Sequence, residues 1–135
     1  VITRIAFTVA GRPAPQGSKK LSPEGNLLEQ SPYLRAWRAA IKRAAYAEFL
    51  RLDVMPSQLP LLRGAVVARA TFRLGDERRI DGPPDLDKLL RSTWDALTLA
   101  RVWEDDGRVV VVAASKVHAT PWLPMGADVE VELAG

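Results

Sequence analysis

Pro83-Pro84-Asp85-Leu86-Asp87-Lys88-Leu89-Leu90-Arg91-Ser92-Thr93-Trp94-Asp95-Ala96-Leu97 runs from a double proline into apolar residues at helical spacing. Leu86, Leu89, Leu90, Thr93, Trp94 and Leu97 share one stripe, and aspartate is a favoured residue at a helix start, so a helix is predicted from about residue 86 to 98. β-rich runs flank it. Residues 64–74 carry Val66, Val67, Ala68, Ala70 and Phe72, and residues 108–117 are strongly β-branched; both read as strands. Further towards the N-terminus, residues 3–10 alternate around Ile5, Phe7 and Val9, predicting another strand. Residues 11–29, punctuated by Gly11, Pro13, Pro15, Gly17, Pro23 and Gly25, read as a long loop. Ser31-Pro32 then starts a helix expected to reach about Leu52. Its stripe of Leu34, Trp37, Ile41, Ala45 and Phe49 should pack inward, with Arg35, Arg38 and Lys42 on a basic face. Residues 128–133 form a last strand, with Val129, Val131 and Leu133 on one side. The expected order is β-α-β-α-β-β. This is an α/β (α+β) fold: one small domain over residues 1–135, its sheet mixed or mostly antiparallel and helices on at least one face.

The chain of 135 residues is 47% hydrophobic, enough for one core. No apolar run is long enough to span a bilayer and no signal-peptide pattern opens it, so no membrane partner is expected. There is no cysteine, which excludes disulfides and thiolate zinc sites and fits a reducing, cytoplasmic setting. With a single histidine, His118, any metal is expected to be held by oxygen, which points to Mg²⁺ or Mn²⁺. Charge is unevenly spread. Residues 1–80 hold 14 Lys and Arg against 6 Asp and Glu, whereas residues 81–135 hold 5 against 10. A basic half suits a polyanion; the same charges also suit an ordinary solvated surface.

Asp85 and Asp87 open the helix, and Trp103-Glu104-Asp105-Asp106-Gly107 follows it. Each segment has a plain structural reading, as cap, dipole partner or turn. Together they have a chemical one. The helix rises roughly 18 Å at ~1.5 Å per residue, and residues 99–106 are long enough to return that distance at up to ~3.3 Å per residue. Asp106 is therefore expected beside Asp85 and Asp87. Three gathered carboxylates need a cation to stay ionised, and Mg²⁺ there would polarise a phosphodiester and stabilise a leaving 3′-oxygen.

These residues resemble the RusA-type Holliday-junction resolvases of phages and prophages. That family carries Asp-x-Asp-Asn-x-x-Lys, then Asp-Ala-Leu on the same helix, then an acidic pair. Asp85 and Asp87, Asp95-Ala96-Leu97 and Asp105-Asp106 match, and Gly11-Arg12-Pro13-Ala14-Pro15-Gln16-Gly17-Ser18-Lys19 is similar to the family's basic glycine-proline loop. The resemblance covers most of the chain, least between residues 50 and 80. It implies that Asp85, Asp87 and Asp106 bind metal, that the protein is a homodimer acting on four-way junctions, and that its host is a bacterial cell. The chain departs from the pattern twice: Lys88 stands for the asparagine, and Arg91 for the catalytic lysine. Arginine can clamp a phosphate but cannot give up a proton; a proton transfer would fall to Lys88 or Lys116.

Arg12, Lys19, Lys20, Arg78, Arg79 and Lys116 are the expected DNA contacts. Trp37 and Trp94 fall on apolar stripes and belong in the core, Trp103 in the core or at the lip of the site, and Trp122 outside. The expected activity is Mg²⁺-dependent cleavage of branched DNA by paired nicks, with no nucleotide cofactor. The first alternative is a non-catalytic DNA-binding module whose aspartates are caps and turns. A restriction-type nuclease fits less well, because no acidic-x-Lys follows Pro84-Asp85 on a β-rich run.

Overall fold

The computed structural model describes residues 1–17, 19–21, 23–25, 27–29 and 32–135, with the backbone alone at 19–21 and 27–29. Its elements are β1 (Arg4–Ala10), β2 (Lys19–Leu21), β3 (Leu27–Glu29), α1 (Leu34–Arg51), β4 (Val66–Leu74), α2 (Leu86–Leu99), β5 (Val109–His118) and β6 (Gly126–Leu133). Two short 3₁₀ turns lie at Pro56–Gln58 and Asp106–Arg108. The expected α+β domain is present, with a four-stranded mixed sheet in the order β1-β6-β4-β5. β6 runs antiparallel to both β1 and β4, while β4 and β5 are parallel. One reading needs correction. Residues 11–29 are not wholly loop, since β2 and β3 pair there as a small antiparallel hairpin.

Parallel neighbours require a crossover, and α2 supplies it. Its buried residues Leu89, Trp94, Ala96 and Leu97 turn to the core, and Trp94 meets Trp103 edge-on with ring centroids 5.4 Å apart. All five residues of the predicted α1 stripe are buried. Both helices pack together on one face, α1 over β1 and α2 beside β5. Beneath them lie Ile5, Val9, Val66, Ala68, Phe72, Val129 and Val131. The opposite face is open and tied by charge: Arg4 Nε to Glu130 at 2.9 Å, Arg69 Nη1 to Glu132 at 2.8 Å, and Thr8 Oγ1 to Asp128 at 2.9 Å.

α2 ends in a left-handed turn at Arg101 (φ 63°). Arg101 N–H donates to Thr98 O and Val102 N–H to Leu97 O, each at 3.0 Å, which closes off the orphan carbonyls. Val102 and Trp103 are then buried, and Leu61 and Leu62 bond the carbonyls of Arg101 and Val102. The chain therefore enters β5 at the end where β4 begins.

Candidate functional site

One end of the sheet collects Asp85, Asp87, Lys88, Arg12, Arg78, Arg79 and Lys116 of the predicted site residues, with Arg91 a turn further along α2. β1, β4 and β5 finish there and β6 starts there. Lys116 and His118, alternate residues on one face of β5, reach the loop ahead of α2. Lys116 Nζ donates to Gly82 O at 2.9 Å and Pro84 O at 3.0 Å. His118 Nε2 lies 2.7 Å from Arg78 O, within hydrogen-bond distance. These two residues clamp the segment carrying Arg78, Arg79 and Asp85.

The loop after β1 docks from the other side. Gln16 N–H donates to Lys88 O at 3.0 Å, and buried Ser92 Oγ donates to Ala14 O at 2.6 Å. Gly17 sits so close that a Cβ there would lie 2.7 Å from Lys88 Cδ. Arg38 Nη2 bonds Gln16 Oε1 and lies 3.6 Å from Asp95, joining α1 to both.

Asp85 occupies the N-cap of α2 with extended backbone (φ −70°, ψ 139°), yet its side chain makes no capping bond. Its carboxylate is exposed, 3.7 Å from Lys88 Nζ. Asp87, in the first turn, is also exposed, as is Arg91, which shares its helix face at i,i+4. The pair 85 and 87 is thus free to take a ligand, with Lys88 and Arg91 alongside.

Asp106 is not with them. Val109 pairs with Val66 at the start of the parallel pair, and Lys116 with Phe72 near its finish. From Val109 to Lys116 a strand advances roughly 23 Å at ~3.3 Å per residue. Asp106 precedes Val109, so it lies roughly 20 Å from Asp85. The expectation of convergence within one chain is not met. Residues 99–106 were long enough to return, but α2 itself is the return path of the crossover. Among the described residues no three His, Asp or Glu side chains are gathered around a point that one metal ion could share. Asp105 has a structural role, its Oδ1 accepting from Gly107 N–H at 2.7 Å, and Glu104 pairs with Arg108 at 2.7 Å.

The cations are placed unequally. Arg12 lies over the Tyr33 ring, 4.0 Å from its centroid. With Arg78, Pro83 and Pro84 they line a recess of about 180 Å³ next to Asp85. Arg79 is engaged by Asp81 through two bonds of 3.0 and 2.9 Å. The side chains of Lys19 and Lys20 lie outside the described residues, as does Ser31. Arg35, Arg38 and Lys42 border a groove of about 400 Å³ beside exposed Leu99. Trp37, Trp94 and Trp103 are buried, and Trp122 is exposed. Sequence reasoning passed over Tyr33, Gln16 and the grip of His118. The i,i+2 spacing of Lys116 and His118 was the available signal for the last.

No family model matches the chain, and no curated protein matches it. Among solved structures, the protein Atu1372 of unknown function from Agrobacterium tumefaciens is 14% identical, with a TM-score of 0.44 over 95% of this chain and 82% of that one. No described helix is long and apolar enough to cross a membrane.

Proposed function

We propose that this protein is a Mg²⁺-dependent endonuclease for branched DNA, acting as a two-fold dimer. The observation that carries the reading is the pair of exposed, uncapped carboxylates at the start of α2, flanked by Lys88, Arg91 and the Lys116 clamp. The aspartate spacing shared with the RusA-type resolvases supports it. Asp85 and Asp87 fit a hard, partly hydrated cation that takes oxygen ligands. Bound there, Mg²⁺ would supply polarisation of the phosphodiester and charge stabilisation at the leaving oxygen. Lys88 and Arg91 hold the phosphate by charge, and Lys116 holds the carboxylate loop in place through its two carbonyls.

A second copy supplies what one chain lacks. β5 is an edge strand whose residues 109–115 carry no charge and no proline, with Val110, Val111 and Val112 exposed. A long apolar edge calls for a partner strand. Antiparallel pairing of two β5 strands about Val111 would set Asp106 of one copy opposite Lys116 of the other, at the end where Asp85 and Asp87 lie. Two such sites related by a two-fold axis would suit the paired nicks of a four-way junction.

The test is cleavage of a labelled synthetic four-way junction and a matching linear duplex. With Mg²⁺, the wild-type chain should nick the junction, and Asp87→Asn should bind it without nicking; cleavage retained by that variant rejects the reading. The separation of Asp106 within one chain favours the competing module without catalysis. Mn²⁺ titration decides between them, since only the enzyme requires metal at Asp85 and Asp87.

A further inference from the structure

We propose that Trp122 is a stacking wedge that enters the opened centre of branched DNA. The proposal rests on the DNA reading above but not on its metal chemistry. Three tryptophans are 0–8% exposed, whereas Trp122 is 89% exposed, with Leu123 beside it at 57%. A large aromatic ring left in water is the uncommon case.

The ring is presented on a held turn. Thr120 N–H donates to Leu123 O at 2.8 Å, and Leu123 N–H to Thr120 Oγ1 at 2.9 Å. Pro121 and Pro124 flank it and restrict the backbone further. Its entry is fixed by Ala119 N–H on Leu74 O at 2.7 Å. Its exit is fixed by Arg73 Nε on Pro124 O at 2.8 Å and by Gly11 N–H on Met125 O at 3.2 Å. Arg73 is only 3% exposed and pairs with Asp128 at 2.8 Å. The tip is thus anchored at both feet.

Charge identifies the occupant. Residues 119–125 bear none, but each foot touches the backbone of a segment that carries a cation. His118 at the entry grips Arg78, and Gly11 at the exit precedes Arg12. Arg12 and Arg78 line the recess beside Pro84, one residue from Asp85. An uncharged apolar tip on the same end of the sheet as the recess of Arg12 and Arg78 matches a base stack bordered by phosphates. Intact duplex keeps its bases stacked; a branch point offers an open face.

Tryptophan emission reads this directly, in EDTA so that no cleavage intervenes. Saturating four-way junction should quench the wild-type protein, and linear duplex should not. Trp122→Ala should abolish the quench and weaken junction binding roughly 5- to 160-fold, the range expected for one lost base stack, with duplex binding unchanged. Trp122→Phe should keep most of the affinity. Because residue 122 is exposed, both variants should fold as wild type, checked by circular dichroism. Equal junction affinity of Trp122→Ala and wild type would overturn the proposal, as would unchanged emission at saturation. A concentration-dependent emission shift without DNA that is present in wild type and lost in Trp122→Ala would assign the tip to a second copy and also overturn it. Mg²⁺-dependent cleavage with a silent Trp122 leaves the nuclease and removes the wedge; quenching without cleavage under any metal does the reverse.

Discussion

Mixing two inactive variants should restore activity. By strand advance Asp106 and Asp85 lie roughly 20 Å apart in one chain, far beyond a shared metal's reach of about 2–2.5 Å per ligand. If Asp106 acts at all, it acts on the neighbouring copy. Asp87→Asn alone spoils both sites of its dimer, and so does Asp106→Asn. In a heterodimer of the two, one site receives Asp85 and Asp87 from the second variant and Asp106 from the first, and is complete. The other site carries both lesions. Random pairing of equal amounts makes about half the dimers mixed, each with one of two sites intact, so about a quarter of wild-type site activity returns. The assay is the initial rate of single nicks in a labelled junction with Mg²⁺, after the variants are unfolded together and refolded. Resolution into two duplexes should recover less than nicking, because it needs both sites. A mixture no more active than its components would refute cooperation between copies, and an Asp106→Asn protein with full activity would refute any role for that carboxylate.

Two further outcomes follow from contacts at either face of the sheet. Lys116→Met removes two charge-assisted hydrogen bonds to Gly82 and Pro84. It should lower stability by about 2 kcal/mol in urea unfolding and raise the Mg²⁺ concentration needed for cleavage, because the loop before Asp85 loses its clamp; an unchanged metal requirement would count against the clamp. Glu130 has its carboxyl held below the ordinary carboxylate range by the hydrogen bond from Arg4, and then by the charges of Arg4 and Arg69. Its share of stability is complete above the unfolded-state value of about 4.3 and is lost as pH falls through the lowered folded value. Glu130→Gln should therefore flatten the acid limb of a melting-temperature profile, with salt reducing the difference.

What could be read from the sequence was local. The stripe from Leu34 to Phe49 and the β-branched runs from Val66 and Val109 announce themselves within a few residues, because burial imposes a period of 3.6 or 2. The hairpin at Lys19–Leu21 and Leu27–Glu29 was hidden, since Pro23 and Gly25 read as breakers and three-residue strands leave no period to detect. The place of Asp106 was hidden for another reason. Chain length bounds what residues 99–106 can span but does not choose a direction; the parallel pairing of β4 with β5 chooses it, and strand partnership is a long-range property. Asp85 sat at its expected cap position, but that its carboxylate stays off the helix backbone is a matter of side-chain geometry no motif records.

β6 comes last in the order of strands yet stands second in the sheet, wedged between β1 and β4. The unit β4–α2–β5 is contiguous and can zip as it forms. β1 has no such freedom, for among the described residues its one neighbour in the sheet is β6, more than a hundred residues later. During synthesis the first strand must therefore wait, and the inner edge of β4 stays bare until residues 126–133 emerge from the ribosome. A stalled or clipped chain would expose two unpaired edges at once, which makes the final strand the keystone against misassembly.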